Sequence, residues 1–500
     1  MNNNKGVFLA IDQSTSATKA LLFTPEGILL DQQTVNHQQI YPFAGWVEHD
    51  ADEIYNNMIK AVSGLLQRHS DKRNNILALS LTNQRETFVI FERNSGKPVH
   101  NAIVWQCMRG VEYCNLLTEN ELDPVVHQLT GLKIDTYFPA SKIHWLMEAR
   151  PDISANLVNG SALFGTIDTY LIYRLTGGKV YATDHTNASR TLLFDIDKFS
   201  WSQELFDLFG IPRVDFPEVR SSSDWYGDTD LEGLLDRRIP IYGVMGDSQA
   251  ALFAQRCFTP GSAKVTFGTG SSILLNIGKE KRLSTSGILT ALGWVVDGIP
   301  TYAFEGIINF TGATIAWLRD QLNMITTSAE SEEISRLVSS SDGVYLVPAF
   351  IGLAAPYWRA DARAAILGMT PATTRAHIVR AAVESIGYIV TDVLNTMSKE
   401  ADISLDTVFA DGGAVSNTFL MQFVSDMSRL KLSASQLPEL SALGAVFSGG
   451  LGLKIHQSLD DLLRLPTGFE HYEPKLDSSE AKKQFIGWQK AVQQILYQPK

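Results

Sequence analysis

Asp12-Gln13-Ser14-Thr15-Ser16-Ala17-Thr18 ends an apolar run with a carboxylate and then a turn of small hydroxyl residues. Gly268-Thr269-Gly270-Ser271-Ser272 repeats the theme in the second half of the chain. Backbone N–H groups in such tight turns converge on one concavity and bind phosphate oxygens, and Gly268 and Gly270 let a ligand approach the backbone closely. Asp12 would face the same place. A carboxylate there does not touch phosphate, but it can hold Mg²⁺ through water. Either turn alone reads as an ordinary hairpin; the recurrence at matching places in the two halves is what points to phosphate. A third loop, Gly412-Gly413-Ala414-Val415-Ser416-Asn417, follows a strand and opens a helix. That arrangement can contact a purine or a phosphate, although a tight βα turn needs glycine in any case.

Three further positions carry chemistry of a different kind. Asp247, in Val244-Met245-Gly246-Asp247-Ser248-Gln249, follows an apolar strand near the middle of the chain. A carboxylate in a cleft between domains is placed to take a proton from an attacking hydroxyl; it reads equally well as the cap of a helix over Ala250 to Gln255. Arg85-Glu86 sets a donor fork beside an acceptor, which suits a polyol whose hydroxyls both donate and accept. The same dipeptide also reads as a surface charge pair on a solvated turn. Trp105 offers an apolar wall for a carbon chain, or simply core.

The chain lacks GxxxxGK[ST], the HRD and DFG segments of protein kinases, HExxH and GxSxG, so a nucleotide must be held by other means than a P-loop. Lys plus Arg number 42 against 54 Asp plus Glu, a formal charge of -12. With no dense basic run, this balance speaks against nucleic acid and against a membrane surface as partner. Cys107, Cys114 and Cys257 have no CxxC spacing and read as reduced thiols of a cytoplasmic protein. No apolar leader precedes Asp12, and the uncharged stretch from Gly343 to Trp358, broken by Pro348 and Pro356, is too short to span a bilayer.

The elements that must position these residues follow from pattern. Val7 to Ile11 reads as a buried strand with Ala20 to Phe23 as its hairpin partner; Pro25-Glu26-Gly27 turns into a third strand from Ile28. Ile76 to Leu81 is strand-like, and another strand runs through Phe91. Ala263 to Phe267 and Ile273 to Ile277 reproduce the opening hairpin, and Thr407 to Ala410 precedes the third loop. Helical stripes run through Ile378, Ala382, Ile386, Ile389 and Val393, and through Phe419, Phe423 and Met427. At 500 residues the chain exceeds one core. The reading is α/β, two related domains, 1–252 and 253–500, facing each other across a cleft.

Taken together these residues resemble the FGGY family of carbohydrate kinases, which includes glycerol kinase, nearly end to end. The resemblance is carried by Gly45-Trp46-Val47-Glu48-His49-Asp50, Thr82-Asn83-Gln84-Arg85-Glu86-Thr87, Ala102-Ile103-Val104-Trp105-Gln106-Cys107, Phe164-Gly165-Thr166-Ile167-Asp168-Thr169 and Thr186-Asn187-Ala188-Ser189-Arg190-Thr191. Ala355-Pro356-Tyr357-Trp358, Ala410-Asp411-Gly412-Gly413-Ala414 and Ser441-Ala442-Leu443-Gly444-Ala445 add to it. The resemblance implies two actin-like, ribonuclease H-like ATPase domains closing around Mg-ATP and a small polyol, in a cytoplasmic homodimer or homotetramer. It implies Asp247 as catalytic base; Arg85, Glu86, Tyr137 and Asp247 on the polyol with Trp105 against its carbons; Thr15, Ser16, Lys19, Thr269, Gly312, Gly413 and Asn417 on the nucleotide; and Asp12 on Mg²⁺.

The departures from the family lie at the acceptor and the nucleotide. Ser248 stands where members acting on glycerol usually carry Gln, and Ser272 where they carry Phe; Lys19 replaces Arg and Ala316 replaces Gln near the nucleotide. The two serines make a roomier, more polar pocket. They set a four-carbon alditol or a pentulose beside glycerol as candidate acceptors. Leu231-Glu232-Gly233-Leu234-Leu235-Asp236 replaces the Gly-rich loop through which bacterial members bind fructose 1,6-bisphosphate, so that inhibition is not expected. A non-catalytic, nucleotide-switched protein of the same fold is the contrasting class; Arg85, Glu86 and Asp247 speak against it, since a switch needs no polyol site.

Overall fold

Val7–Gln13 and Ala17–Phe23 pair antiparallel through a tight turn, and Leu29–Asn36 adds antiparallel beyond them. On the other side Ile76–Asn83 and Ile239–Gly246 join in parallel, and Trp225–Thr229 closes the six-stranded sheet antiparallel. These elements belong to a computed structural model that describes residues 6–212, 214–359, 361–437 and 439–497. Met1 to Lys5, on which the reading of the leader partly rests, lie outside them.

The second half repeats the plan. Ala263–Phe267 and Ser271–Gly278 form the hairpin, Ile299–Ile308 is the antiparallel third strand, and Thr407–Asp411 and Lys431–Ser435 add in parallel. Leu289–Val296 and Phe469–Tyr472 are the edges of this seven-stranded sheet. The internal symmetry of the sequence is thus a shared strand order. Parallel neighbours cannot be joined by a hairpin, so each sheet sends its chain through helices, and these supply the covering layers.

Strand parity sorts the first sheet. Val7, Leu9 and Ile11 pack under the helix Ala51–Arg68, while Phe8 and Ala10 face the other way with Leu21, Phe23 and Met245. That second face is covered by Asp247–Ala254 and by Leu440–Gly452, a helix contributed by the second half of the chain. Leu274, Trp294 and Ala303 of the second sheet close the same core from beyond. The two sheets therefore share a layer of two helices. Gly444 makes the approach possible: a Cβ there would stand 1.9 Å from the carbonyl oxygen of Ala250. Residue 252, where the pattern divides the chain, lies within this layer.

A separate four-stranded sheet of Glu48–His49, Ala102–Ile103, Phe88–Glu92 and Ala162–Thr166 branches from the first domain. The stripes at Ile378 and Phe419 belong to the helices Arg375–Ala401 and Thr418–Ser428, which pack on the second sheet. The three cysteines are buried and unpaired. Among the described residues no helix is long and apolar enough to cross a membrane.

Candidate active site

Ile239–Gly246 delivers Asp247 to the seam between the domains. The N–H of Gly246 donates to Thr186 Oγ1 at 2.8 Å, which pins the end of the strand. The helix begins at Asp247 itself, three residues earlier than periodicity suggests, and Gly246 is its cap. The capping role for Asp247 is therefore displaced. Its side chain is 41% exposed, and Oδ1 lies 3.1 Å from Arg85 Nε. Gly246 is needed for that pairing, because a Cβ there would stand 2.7 Å from Arg85 Cγ.

Arg85 and Glu86 are not a solvated pair. They are 5% and 2% exposed, and the surface-turn alternative falls with that. Glu86 takes a left-handed backbone (φ 61°) at the end of Ile76–Asn83, which aims its carboxylate inward. Two residues that pattern reasoning missed complete the group. Arg190 Nε donates to Glu86 Oε1 at 2.6 Å, and its Nη1 donates to Glu305 Oε2. Arg85 Nη1 donates to Glu305 Oε1 at 3.0 Å. Glu305, on Ile299–Ile308 of the second sheet, so grips two arginines of the first domain. Arg190 lay within a segment that carried the family resemblance, but its partners are more than a hundred residues away in sequence, and nothing local marks Glu305.

Burial alone would raise Glu305, yet Arg190 and Arg85 outweigh it and hold the carboxyl at about 2. Burial wins for Glu86, which is raised in spite of Arg85 and Arg190. Arg85 stays charged: Glu305, Glu86 and Asp247 overcome its desolvation. Removing one member of such a group strands a buried charge.

Trp105 and Tyr137 form a wall beside it, ring centroids 5.2 Å apart. Trp105 Nε1 donates to Thr15 Oγ1 at 3.0 Å, tying the wall to the first turn. Lys142, fully buried, donates to the carbonyls of Val104, Trp105 and Tyr137 at 3.2, 3.4 and 3.3 Å. Burial pushes this lysine down to about 8. Ser272 pairs with Ile307 and Leu274 with Glu305, so Ser272 shares the Glu305 face of its sheet. Its Oγ is buried without a hydrogen-bond partner.

From Asp247 and Ser248 a cavity of about 640 Å³ runs past Asp12 and Lys19 to Asp411 and Gly413. Lys19 Nζ bonds Glu439 at 2.7 and 2.8 Å, joining the domains again across the cavity. The first turn is closed by Ser14 N and Oγ donating to Ala17 O, with Thr15 and Ser16 at its tip; Thr15 O accepts from His37 and from Gln39. Thr269 lies at the tip of the second turn, where Gly312 N donates to Gly268 O at 3.0 Å. Asn417 caps the helix Thr418–Ser428, accepting from Leu420 N at 2.9 Å.

Asp12 is pushed up to about 7 by burial and by the carboxylates of Glu439 and Asp247, against Lys19. A carboxylate so placed gains from a cation. Among the described residues no group of three or more acidic, His or Cys side chains can cage one. A single carboxylate facing a phosphate-sized cavity fits Mg²⁺, which keeps several waters and takes phosphate oxygens as ligands.

Comparison with known proteins agrees with this architecture. Residues 7–254 match the N-terminal domain of the FGGY family of carbohydrate kinases and residues 263–453 its C-terminal domain. The chain belongs to that family and is a carbohydrate kinase. Glycerol kinase 1 of Thermotoga maritima is 44% identical over 488 residues, 98% of this chain and 99% of that one. Glycerol kinase of Thermus thermophilus is 43% identical over 97% of this chain and 98% of its own. The structure of Plasmodium falciparum glycerol kinase with ADP superposes with a TM-score of 0.94 at 36% identity, covering 99% of both chains. A xylulose kinase from Lactobacillus acidophilus, 20% identical, shares the fold with a TM-score of 0.88 over 98% of both chains.

Proposed function

We propose that this kinase transfers the terminal phosphoryl group of ATP to a terminal hydroxyl of glycerol, giving glycerol 3-phosphate, with Asp247 as general base. The observation that carries the reading is the contact of Asp247 Oδ1 with Arg85 Nε at 3.1 Å, at the mouth of a cavity of about 640 Å³. The identity of about 43% to glycerol kinases over nearly the whole chain supports the choice of acceptor. Residues 1–252 would carry the acceptor site and the first phosphate turn, and residues 253–500 the nucleotide.

In this reading Arg85, Glu86 and Tyr137 orient the polyol and Trp105 covers its carbons. Asp247 takes the hydroxyl proton as the oxygen attacks phosphorus, and the displaced oxygen leaves with ADP. The turns at Thr15-Ser16 and Thr269, with Lys19, Gly312, Gly413 and Asn417, hold the nucleotide. Asp12 would hold Mg²⁺ through water, and the ion would supply charge neutralisation on the phosphates. Closure of the cleft excludes water, which limits wasteful ATP hydrolysis. A homodimer or homotetramer is the assembly to check by light scattering.

A second reading keeps the mechanism and lengthens the acceptor. The unpartnered Ser272 Oγ on the Glu305 face favours a polyol with one more hydroxyl, or a ketose. A coupled ADP-release assay with Mg-ATP against glycerol, erythritol, the pentitols, dihydroxyacetone, xylulose and ribulose decides. The highest kcat/KM on glycerol upholds the first reading. A tenfold preference for a longer acceptor, about 1.4 kcal/mol, replaces it with the second.

A further inference from the structure

Lys264 sits on the strand Ala263–Phe267, whose other residues Ala263, Val265 and Phe267 point into the core of the second domain. Alternation turns Lys264 and Thr266 to the opposite face, and both line the cavity that holds Asp12, Asp247 and Asp411. Lys264 is fully buried. Its neighbours in register are Leu274 on one side and Phe409 on the other, so the fold at this point offers an ammonium apolar company. Nζ donates to Thr266 Oγ1 at 2.7 Å, its only hydrogen bond among the described residues. An ammonium has three donors, so two remain for the cavity. Thr266 is paired with Asp411 across the parallel strands, and Asp411 is held in turn by the side-chain amide of Gln255. The charges that act on Lys264 are Asp411, which lines the cavity beyond the base, Asp247 itself, and Arg85 and Glu305 of the acceptor group. Burial lowers its proton affinity, and Asp411 works against that; an arriving phosphate would add to the second effect.

A buried charge with one hydrogen bond costs stability, and an apolar side chain of similar length would fill the same space. Asp411 offsets part of that cost, and the two donors left over are met by what enters the cavity. Resting on the kinase reading above, we propose that Lys264 is a further catalytic residue, which donates to the phosphoryl group while it passes from the nucleotide to the acceptor. The acceptor oxygen forms its bond to the terminal phosphorus, the bond from that phosphorus to the bridging oxygen breaks, and its electron pair leaves with ADP. The hydroxyl proton goes to Asp247, and Lys264 keeps its own proton throughout, offsetting charge on the oxygens in flight.

The test is Lys264→Met in the full chain, with wild type and Lys264→Arg beside it, read by three measurements. The expected result is a kcat at least ~10²-fold lower, with the calorimetric affinity for ADP and the KM for the acceptor within about threefold. The unfolding midpoint in urea is expected to fall somewhat, because buried Asp411 loses the cation beside it, so ADP affinity and the acceptor KM are the readouts that separate catalysis from structure. Lys264→Arg is expected to recover part of kcat. A kcat within about threefold of wild type, or a fall in kcat matched by weaker ADP binding and a higher acceptor KM, overturns the proposal and makes Lys264 structural. Should Lys264→Met not fold, Lys264→Gln serves in its place: it keeps a polar partner for Thr266 without the charge, and wild-type kcat in that variant overturns the proposal too. A wild-type protein that phosphorylates none of the acceptors tested would instead refute the kinase reading of this site, which keeps the two failures apart.

Discussion

Glu305 and Arg85 meet at 3.0 Å, Oε1 to Nη1, although they belong to different domains. Because Arg85 also touches Asp247, the residue proposed to take the acceptor's proton is one ion pair removed from the interdomain grip. The acceptor site and the relative placement of the domains are therefore coupled: what loosens one loosens the other.

Asp247→Asn removes the base and keeps its shape. Turnover is expected to fall at least ~10²-fold, the low end for loss of a general base, with ADP affinity unchanged by calorimetry. Near wild-type turnover would refute the assignment of Asp247.

Glu305→Gln leaves Arg85 and Arg190 without their shared carboxylate. Breaking one partner of a buried pair costs about 3–5 kcal/mol, to be read from urea unfolding at neutral pH. The pH dependence has a definite sign. Glu305 is held at about 2 in the folded protein, below its ordinary 4.5, so the stability it confers is present above 4.5 and lost as pH falls towards 2. The difference between wild type and Glu305→Gln should be flat from pH 7 to about 5 and shrink below that. A difference that shrinks already between pH 7 and 5 would contradict the ion pairing.

Lys142→Met withdraws the donor that gathers the carbonyls of Val104, Trp105 and Tyr137. The acceptor KM is expected to rise roughly tenfold, as positioning is lost, while ADP affinity holds. Here the folded state depresses a lysine from 10.5 to about 8, so the unfolded chain binds more protons between those values. Wild-type stability relative to the variant should therefore climb from pH 8 to 10.5, with a slope approaching about 1.4 kcal/mol per pH unit. A slope of opposite sign would show that Lys142 is favoured, not disfavoured, as a cation.

Ser272→Phe fills the face beside Glu305 with a ring. If the pocket is open there, the variant should lose longer acceptors by at least ~10-fold in kcat/KM while retaining glycerol, since an aromatic ring excludes an extra hydroxymethyl group sterically. Equal loss on every acceptor would place Ser272 outside acceptor selection.

Much of the architecture was legible from local pattern. The hairpins at Asp12 and Gly268, the parallel strands at Ile76 and Thr407, and the stripe through Ile378 rest on periodicities of two and 3.6, which survive in any packing. The recurring strand, small-residue turn and strand foreshadowed the shared sheet order. Asp247 stood out in the sequence, but the capping role could be set aside only once Gly246 took the cap. Arg85-Glu86 could not be ranked from a dipeptide, because burial is conferred by Arg190 and Glu305, far away in sequence. Lys142 and Lys264 were invisible for the same reason: a lysine in a strand or helix looks exposed until the surrounding elements are in place.

The helix Leu440–Gly452 lies against the first domain's sheet, between it and the second. During synthesis the last core strand of that sheet, Ile239–Gly246, leaves the ribosome about 200 residues before its cover does. At common elongation rates that is a wait of roughly 10–40 s. Over that interval Phe8, Leu21, Phe23 and Met245 have only the short helix Asp247–Ala254 over them, which leaves a greasy surface on the nascent chain. Expression of residues 1–252 alone should accordingly yield an aggregating fragment, and full-length yield should depend on holdase chaperones that shield this face until Leu440–Gly452 arrives.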